Sequence, residues 1–509
     1  MLNIIILLLA PLSPLQANVT LPKVFSDHMV LQQQMAVPIW GQAAANEEVT
    51  VEFRGQKKSA KADAEGKWRF TLEPLKAGGP DELKVTGQNA IVIKDVLVGE
   101  VWVGSGQSNM AGSAGGYAKN DAELAKVLAS APYEKLRILR QAGAWTDSSK
   151  ANLSRFSALL LSFGHRVQVE LDVPVGLIAG AIGGTPSGSW VSPKRYAEDE
   201  NCKKVIAKYA ETFNEEALKK RYEVQLAKWE KAVARLKEQG KKRLPRKPRM
   251  PVKPGEHMRG SQIGGLYNKF IQPVAGYGIK GVLWDQGESG TAILGLDQFT
   301  AMGSLISGWR EDWGQDFPFL YIQKPSGGGC AWDTSNPVTQ KANKFTAVPA
   351  KHSDGKYREL HIRIRQHPKT WMASVSDLGS GVHPTNKWGY GQRAAQGAMG
   401  AVYEKSVAIY GPTYASHTTE GNKVRIKFEN TGQGLAFKNG DKLQGFAVAG
   451  ADKVFHWADA EMEGADVVVS SEKVTQPMAI RYGWSRSHPW ANLFNKDGLP
   501  ALTFRTDSW

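Results

Sequence analysis

The sequence predicts an α/β protein whose central parallel sheet is preceded and followed along the chain by β-rich regions. Short apolar runs alternate with helical segments through the middle of the chain, which is typical of a doubly wound parallel sheet. Short β-type runs separated by Gly, Pro and Asn turns fill residues 20–92 and resume from about 406. The 509 residues are 42% hydrophobic and 22% charged, which excludes a disordered, coiled-coil or collagen-like protein.

The N-terminal segment predicts a signal peptide at residues 1–17. An apolar run from Ile4 to Ala10 is stopped by Pro11 and is too short to span a bilayer. Its length suits the core of a secretory signal, with cleavage after Ala17. The alternative is a buried first strand. Because no later run reaches 18 apolar residues, we predict an exported protein without a membrane span, either secreted or periplasmic.

Three domains are predicted to follow: an N-terminal β-domain at 18–92, a central α/β domain at 93–405 and a C-terminal β-domain at 406–509. The predicted strands of the central sheet are 96–104, 173–184, 280–290, 317–323 and 370–379. The predicted helices are 156–171, 266–276, 296–309 and a segment that begins after Lys387. Because ligands of such sheets bind at the carboxyl ends of the strands, the residues after each strand are the candidate site.

The positive charge is concentrated in one insertion, at about residues 203–255. The chain carries 64 Lys and Arg against 49 Asp and Glu, a net charge of +15, and 203–253 alone carries +11. Apolar residues recur at helical spacing up to Gly240, and a Pro-broken basic tail follows. One interpretation is an amphipathic helix with a solvated basic face, and the other is an arm that holds an anionic polymer. Without a nucleic-acid recognition motif, we predict no nucleic-acid partner.

The two cysteines, Cys202 and Cys330, permit one disulfide in an exported protein but do not establish it. The sequence contains neither a C-x-x-C nor an H-E-x-x-H metal motif.

Four polar or glycine-rich segments fall at the predicted strand ends. Ser108 lies in the turn GSGQSNM, where a strand-to-helix turn exposes a nucleophile. Glycines in AIGGTPSGSW allow the backbone N–H of Gly183 or Gly184 to act as an oxyanion donor. Gln286 lies in WDQGES, and His383 lies in SDLGSGVHPTNK, where an imidazole could take the serine proton. Together these segments predict nucleophilic acyl transfer.

The segments that carry these residues resemble the sialate O-acetylesterase family. The similar stretches are GEVWVGSGQSNM, VPVGLIAGAIGGTPSGSW, GLYNKFIQPVAGYGIKGVLWDQGESG and VHPTNKWGYGQRAA. VFSDHMVLQQQMAVPIWG resembles the family's N-terminal β-domain, and GQGL with LQGFAVAG, IRYGW and NLFNKDGLPALTFRTD resembles its C-terminal one. The resemblance implies an SGNH (GDSL-like) hydrolase domain at 93–405, a flavodoxin-like α/β/α sandwich.

The resemblance also implies a role for each matched residue in a serine carboxylic-ester hydrolase. It makes Ser108 the nucleophile and His383 the base, and it implies an acetylated glycan substrate and no metal or organic cofactor. The implied oxyanion hole is Ser108, Gly184 and Gln286, and the implied supporting residues are Glu288 and Asn109.

The acid of the triad is left open by the sequence. Many SGNH enzymes carry D-x-x-H, but here Ser380 occupies the Asp position. Asp377, Asp285 and a backbone carbonyl are the three candidates for orienting His383, and the last would leave a Ser-His dyad.

The first functional hypothesis is a secreted carbohydrate O-acetylesterase acting on sialic acid or related glycans. Gly290 and Ile182 replace residues usual in the family, so the second hypothesis is deacetylation of a plant or algal polysaccharide such as xylan, xyloglucan or a sulfated glycan. A third is a catalytically impaired glycan-binding protein. The basic insertion lies between two site motifs, which predicts that it starts and ends near the pocket rim. The sequence makes no prediction of the oligomeric state.

Overall fold

The structure, a computed structural model, describes residues 18–260, 262–325, 330, 354–379 and 381–509. The predicted signal peptide at 1–17 therefore lies outside the described residues. In the ranges that are described, no helix combines the length and the apolar character needed to cross a membrane.

Twenty-three strands and eleven α-helices form the described chain. The strands are β1 Val30–Gln32, β2 Val37–Gln42, β3 Glu48–Phe53, β4 Gln56–Lys61, β5 Lys67–Leu72, β6 Gly78–Thr86, β7 Ala90–Gly106, β8 Leu136–Arg140, β9 Trp145–Thr146, β10 Val175–Ala181, β11 Gly281–Asp285, β12 Phe319–Ile322, β13 Thr370–Ala373, β14 Thr413–Glu420, β15 Lys423–Glu429, β16 Leu435–Phe437, β17 Phe446–Ala449, β18 Phe455–Trp457, β19 Asp459–Glu463, β20 Asp466–Ser470, β21 Ala479–Tyr482, β22 Leu493–Asn495 and β23 Phe504–Arg505. The helices are α1 Ser108–Ala111, α2 Ala114–Tyr117, α3 Ala122–Ala129, α4 Lys150–Arg155, α5 Ala158–Leu171, α6 Pro193–Glu198, α7 Glu200–Ala210, α8 Glu215–Glu238, α9 Gln298–Trp313, α10 Asp354–Arg363 and α11 Lys387–Ala401.

The central sheet has the strand order β13-β12-β11-β7-β10-β8-β9. Neighbouring strands are parallel from β13 to β8, and only the short β9 is antiparallel to its neighbour within this order. Parallel strands place all their carboxyl ends at one edge of the sheet, so the segments that follow β7, β10, β11, β12 and β13 are brought together.

Side chains alternate between the two faces of this sheet, and each face packs against different helices. Val101, Val103 and Trp284 share one apolar core with Leu305 and Trp309 of α9. On the opposite face, Trp102, Leu283 and Leu320 share a second core with helices α5 and α11. Because both faces are covered, the strands are apolar along their whole length, which explains why the sequence shows them as continuous apolar runs.

Strand β7 is 17 residues long and belongs to two parts of the molecule. Its first half pairs with β6 of the N-terminal region, and its second half pairs with β10 and β11 of the central sheet. Residue 92, the predicted end of the N-terminal β-domain, lies inside this strand.

One predicted helix has a different structure. Residues 266–276 form a π-helical turn at Tyr267–Ile271 followed by a 3₁₀ turn at Gln272–Val274. Pro273 has no N–H and cannot continue an α-helix, which accounts for the break.

The basic insertion contains α7 and α8, and the sequence prediction of a helix that ends at Gly240 is confirmed. Only Val233 of the 24-residue α8 is buried, so this helix packs little against the rest of the chain. Cys202 lies in α7, whereas Cys330 lies in the core of the C-terminal β-region, and both are free thiols.

Candidate active site

The turn after β7 presents Ser108 at the carboxyl edge of the sheet. Gly106 has φ +132°, and a Cβ there would lie 2.1 Å from the Asp285 carbonyl oxygen, so only glycine fits. The Gln107 N–H donates to that same carbonyl at 2.8 Å, which ties the turn to the neighbouring strand β11. Helix α1 then begins at Ser108, whose side chain is partly exposed.

His383 reaches Ser108 from the loop after β13. The imidazole Nε2 lies 2.8 Å from Ser108 Oγ, a hydrogen-bonding distance, although 275 residues separate the two in sequence. His383 is exposed, so this pair lies at the surface of the strand-end edge. A serine hydroxyl hydrogen-bonded to an imidazole has the geometry that nucleophilic catalysis requires.

Open space lies beside Ser108 on the β10 side. A Cβ placed on Gly183 would lie 3.6 Å from the Ser108 Cβ, an ordinary van der Waals contact, so Gly183 lies next to the serine. Gly184 has φ +72°, and a Cβ there would meet no atom within 4 Å. Its carbonyl accepts a hydrogen bond from Arg259 Nη1 at 2.5 Å. The glycines thus leave room for a small acyl group next to the serine.

Gln286 is fully buried, and its amide is used inside the protein. Its Nε2 donates to the carbonyls of Gly290 at 2.9 Å and Thr185 at 3.4 Å, while Oε1 accepts from Gln298 at 3.1 Å. These bonds join the loop after β10 to the loop after β11. The structure therefore brings Gln286 beneath the loops that border Ser108 and does not direct its amide into the open space.

Neither candidate acid contacts the imidazole. Both oxygens of Asp377, which is buried, accept hydrogen bonds from the Arg393 guanidinium at 3.0 Å. Asp285 is paired with Lys324 at 2.6 Å. Within the described ranges, the hydrogen bond from the His383 ring is made to Ser108, and no carboxylate forms an ion pair with it.

A buried charge cluster lies under the edge. The ammonium of Lys324 is 2.6 Å from Asp285 Oδ1 and 2.9 Å from Glu288 Oε1, and Lys324 and Asp285 have no exposed side-chain surface. Burial opposes the charge on Lys324, but the two carboxylates outweigh it and raise its pKa. Burial also raises the pKa of Asp285, an effect that the Lys324 ammonium partly offsets.

Asn109 connects this cluster to the His383 loop. Its Nδ2 lies 3.1 Å from the Val382 carbonyl and 3.4 Å from Glu288, and its Oδ1 accepts from the ammonium of Lys387 at 2.6 Å. Sequence reasoning named Asn109 and Glu288 as supporting residues but missed Lys387 and Lys324. The position of Lys387, four residues after His383 in VHPTNK, is the signal that could have found it.

The arrangement is suited to attack by a serine on a small acyl group bound next to Gly183 and Gly184. In the described part of the chain, no group of three or more His, Cys, Asp or Glu side chains is placed to hold a metal ion.

Comparison with known proteins confirms the resemblance found in the sequence. Residues 98–236 match the family model for carbohydrate esterase, sialic acid-specific acetylesterase. The sialate O-acetylesterase of Homo sapiens is 26% identical over 522 residues, which cover 90% of this chain and 86% of that protein. That of Rattus norvegicus is 27% identical and covers 76% of this chain and 74% of the relative. The crystal structure of a carbohydrate acetylesterase from Xanthomonas citri, 27% identical, superposes with a TM-score of 0.73 over 96% of this chain and 100% of its own.

Proposed function

We propose that this chain, which resembles the sialate O-acetylesterases, is a carbohydrate O-acetylesterase that hydrolyses O-acetyl esters on sialic acid or a related glycan. The observation that carries the proposal is the 2.8 Å contact between Ser108 Oγ and His383 Nε2 beside the open space at Gly184. The relatives and the superposed structure are named as acetylesterases of the same kind, which supports the same chemistry here.

The proposed reaction passes through an acetyl-serine intermediate. His383 takes the proton from Ser108 Oγ as that oxygen attacks the acetyl carbonyl carbon. The backbone N–H groups of Ser108 and Gly184 stabilise the oxyanion that forms. The bond to the sugar oxygen then breaks, and the imidazolium returns its proton to that oxygen. A water molecule then gives a proton to the same imidazole and attacks the acetyl carbon. The bond from that carbon to Ser108 Oγ breaks, the imidazolium returns the proton to Oγ, and acetate is released.

We assign His383 to a Ser-His dyad rather than to a triad. Asp377 is held by Arg393 and Asp285 by Lys324, so neither carboxylate faces the imidazole. A carboxylate in a triad holds the imidazole in one orientation and stabilises its positive charge. In this chain, the orientation has to come from the backbone of the loop that carries His383.

Gln286 is proposed to act indirectly, by fixing the loop that presents Gly184. Its contacts with Gly290 and Thr185 fix the loop that presents Gly184, so its effect on the oxyanion is exerted through the position of that backbone. This assignment differs from the direct oxyanion role implied by the family resemblance.

The wider architecture is proposed to follow the family as well. Helices on both faces of a parallel sheet support an SGNH-type α/β/α sandwich at 93–405, with β-domains at 18–92 and 406–509. A signal peptide at 1–17 would direct the protein to the periplasm or the outside of the cell. Deacetylation of a plant or algal polysaccharide and binding without catalysis are the alternatives, and the comparisons favour neither.

The basic insertion is proposed to lie at the pocket rim and to favour anionic or polymeric substrates. The segment that follows it returns to the site, since Arg259 bonds the Gly184 carbonyl at 2.5 Å. Burial lowers the pKa of His257, and the charges of Arg259 and of Arg249, from the end of the insertion, lower it further. His257 is itself 3.4 Å from Ser189 in the loop after Gly184.

The proposal is tested by measuring acetate release from a panel of acetylated glycans, including 9-O-acetyl sialosides and acetylated xylan, with 4-nitrophenyl acetate as a generic ester. We expect release from the generic ester and from at least one sialoside. Release from xylan alone would favour the polysaccharide alternative. No release from any ester by the folded protein would favour the glycan-binding alternative.

A further inference from the structure

The ammonium of Lys387 is buried directly behind the loop that carries His383. It donates to Asn109 Oδ1 at 2.6 Å and to the Pro384 carbonyl at 2.7 Å. The rings of Tyr117 and Tyr390 lie 4.6 Å and 5.0 Å from the ammonium and enclose it. A lysine with no exposed surface is rare. The buried ammonium of Lys387 is stabilised by two hydrogen bonds and two aromatic rings rather than by a directly bonded carboxylate.

The two peptide carbonyls on either side of His383 are both connected to Asn109. The Val382 carbonyl is bonded directly by Asn109 Nδ2 at 3.1 Å. The Pro384 carbonyl is linked to Asn109 indirectly, because the Lys387 ammonium donates both to that carbonyl and to Asn109 Oδ1. Asn109 is the residue after the nucleophile, and it is fully buried in helix α1. The loop of the base is thus tied on both sides to the backbone segment of the nucleophile.

We infer that Lys387 is a positioning residue for the Ser108–His383 pair, an inference that rests on the proposed function. By bonding Asn109 and the Pro384 carbonyl together, it fixes the backbone of the His383 loop relative to Ser108. It supplies the orientation that a carboxylate on the imidazole supplies in a triad. Lys387 is fully buried and bonds Asn109 and the Pro384 carbonyl, so its effect on the reaction is exerted through the imidazole.

The surroundings of Lys387 are consistent with a structural tie rather than a charge partner for the base. The pKa of Lys387 is lowered to about 7, with burial as the largest cause and Lys324 as a further one, while Asp285, Glu288 and Asp121 act in the opposite direction. Both hydrogen bonds need only two N–H donors, so either protonation state of the amine can hold the loop. The tie therefore survives the loss of the ammonium proton.

The first test is Lys387→Met, which keeps the length of the side chain and removes both donors. A displacement of about 1 Å between reacting groups can reduce the rate about 100-fold. We expect kcat on 4-nitrophenyl acetate to fall about 10- to 100-fold, with KM changed by less than about threefold, since no substrate contact is lost. The matched control is Arg481→Met, which removes another buried cation, one bonded to Asp507 in the C-terminal region, and should lower Tm without lowering kcat.

A double-variant cycle with Asn109→Ala separates positioning from general destabilisation. If Lys387 acts through Asn109, adding Lys387→Met to Asn109→Ala should lower kcat by much less than Lys387→Met does alone. Full multiplication of the two effects would overturn the inference, and so would a kcat for Lys387→Met within threefold of the native value. Asn109→Ala alone, which removes the amide that receives Lys387, keeps the idea testable if the methionine variant does not fold.

Hydrogen exchange measured by mass spectrometry gives a readout that does not depend on esterase activity. Peptides covering 381–390 should exchange faster in Lys387→Met than in the native protein, and unchanged exchange would overturn the inference. If the native protein releases no acetate from any ester, the proposed function fails, but the exchange result still decides whether Lys387 ties the loop.

Discussion

The strand-end edge of the sheet and the basic insertion use charged side chains in opposite ways. At the edge, Lys324 and Lys387 are fully buried, and each makes hydrogen bonds or ion pairs shorter than 3 Å. In the insertion, 17 Lys and Arg lie between 203 and 253, and nearly all of α8 faces solvent. The two buried cations are held by specific short contacts, whereas the many exposed ones create a field that salt can screen. Net charge, the most conspicuous feature of the composition, therefore marks the exposed insertion and not the buried cations behind the proposed site.

The largest effect on activity should come from Ser108→Ala, which removes the proposed nucleophile at the carboxyl ends of the strands. We expect acetate release to fall by about 10⁴-fold or more, because only binding and oxyanion stabilisation would remain. The measurement is hydrolysis of 4-nitrophenyl acetate by the purified protein. Ser113→Ala, a change to a serine five residues further on whose side chain caps no helix, is the control and should keep native activity. Equal activity of native protein and Ser108→Ala would refute the nucleophile assignment.

Lys324→Met should give the largest loss of stability. It leaves Asp285 without its ammonium partner in a fully buried position, which typically costs about 3–5 kcal/mol. Urea unfolding measures the change. Lys369→Met breaks an exposed pair with Asp316 and should cost no more than about 1 kcal/mol. If the two variants lose similar stability, the buried pair Lys324–Asp285 contributes no more to stability than the exposed pair Lys369–Asp316.

Asp377→Asn should have a moderate effect on stability and a small one on activity. The carboxylate bonds Arg393 through both oxygens, so its loss leaves a half-buried guanidinium without its carboxylate partner and should lower Tm. We expect kcat/KM on the aryl ester to fall by less than about tenfold, against about 10⁴-fold for the orienting acid of a triad. A loss of the latter size in a folded variant would restore Asp377 as the acid and argue against the dyad.

Neutralising the basic tail of the insertion should have the smallest effect, confined to polymers. With the Lys and Arg of 241–249 changed to Gln, kcat/KM on an anionic acetylated polysaccharide should fall several-fold at low salt. The difference should largely vanish at about 1 M salt, where the screening length is about 3 Å. Activity on 4-nitrophenyl acetate should not change. The control replaces Lys57, Lys58 and Lys61 of strand β4 by Gln. An equal loss in both variants would mean that the location of the charge is irrelevant.

The sequence was sufficient to predict the parallel strands and the segments that meet at their ends. Ser108 and His383 could be selected because each follows an apolar strand, and strand ends of a parallel sheet converge. The burial of Lys387 and Lys324 could not be predicted, since lysine side chains are normally exposed, and only contacts with Asn109 and Asp285, distant in sequence, show it. For the same reason, the sequence could not show that Gln286 points into the loops rather than into the pocket.

Strand β7 has a practical consequence for dissecting this protein. Because its first half is paired with β6 and β1, a fragment beginning at residue 93 would lose β6 and β1 and expose Val96 and Val98, both fully buried in the whole chain, along an unprotected strand edge. Unpaired apolar edges of this kind recruit other chains and promote aggregation. We therefore expect the isolated α/β region to be insoluble on expression, and its esterase chemistry to be accessible only when the preceding β-region is produced with it.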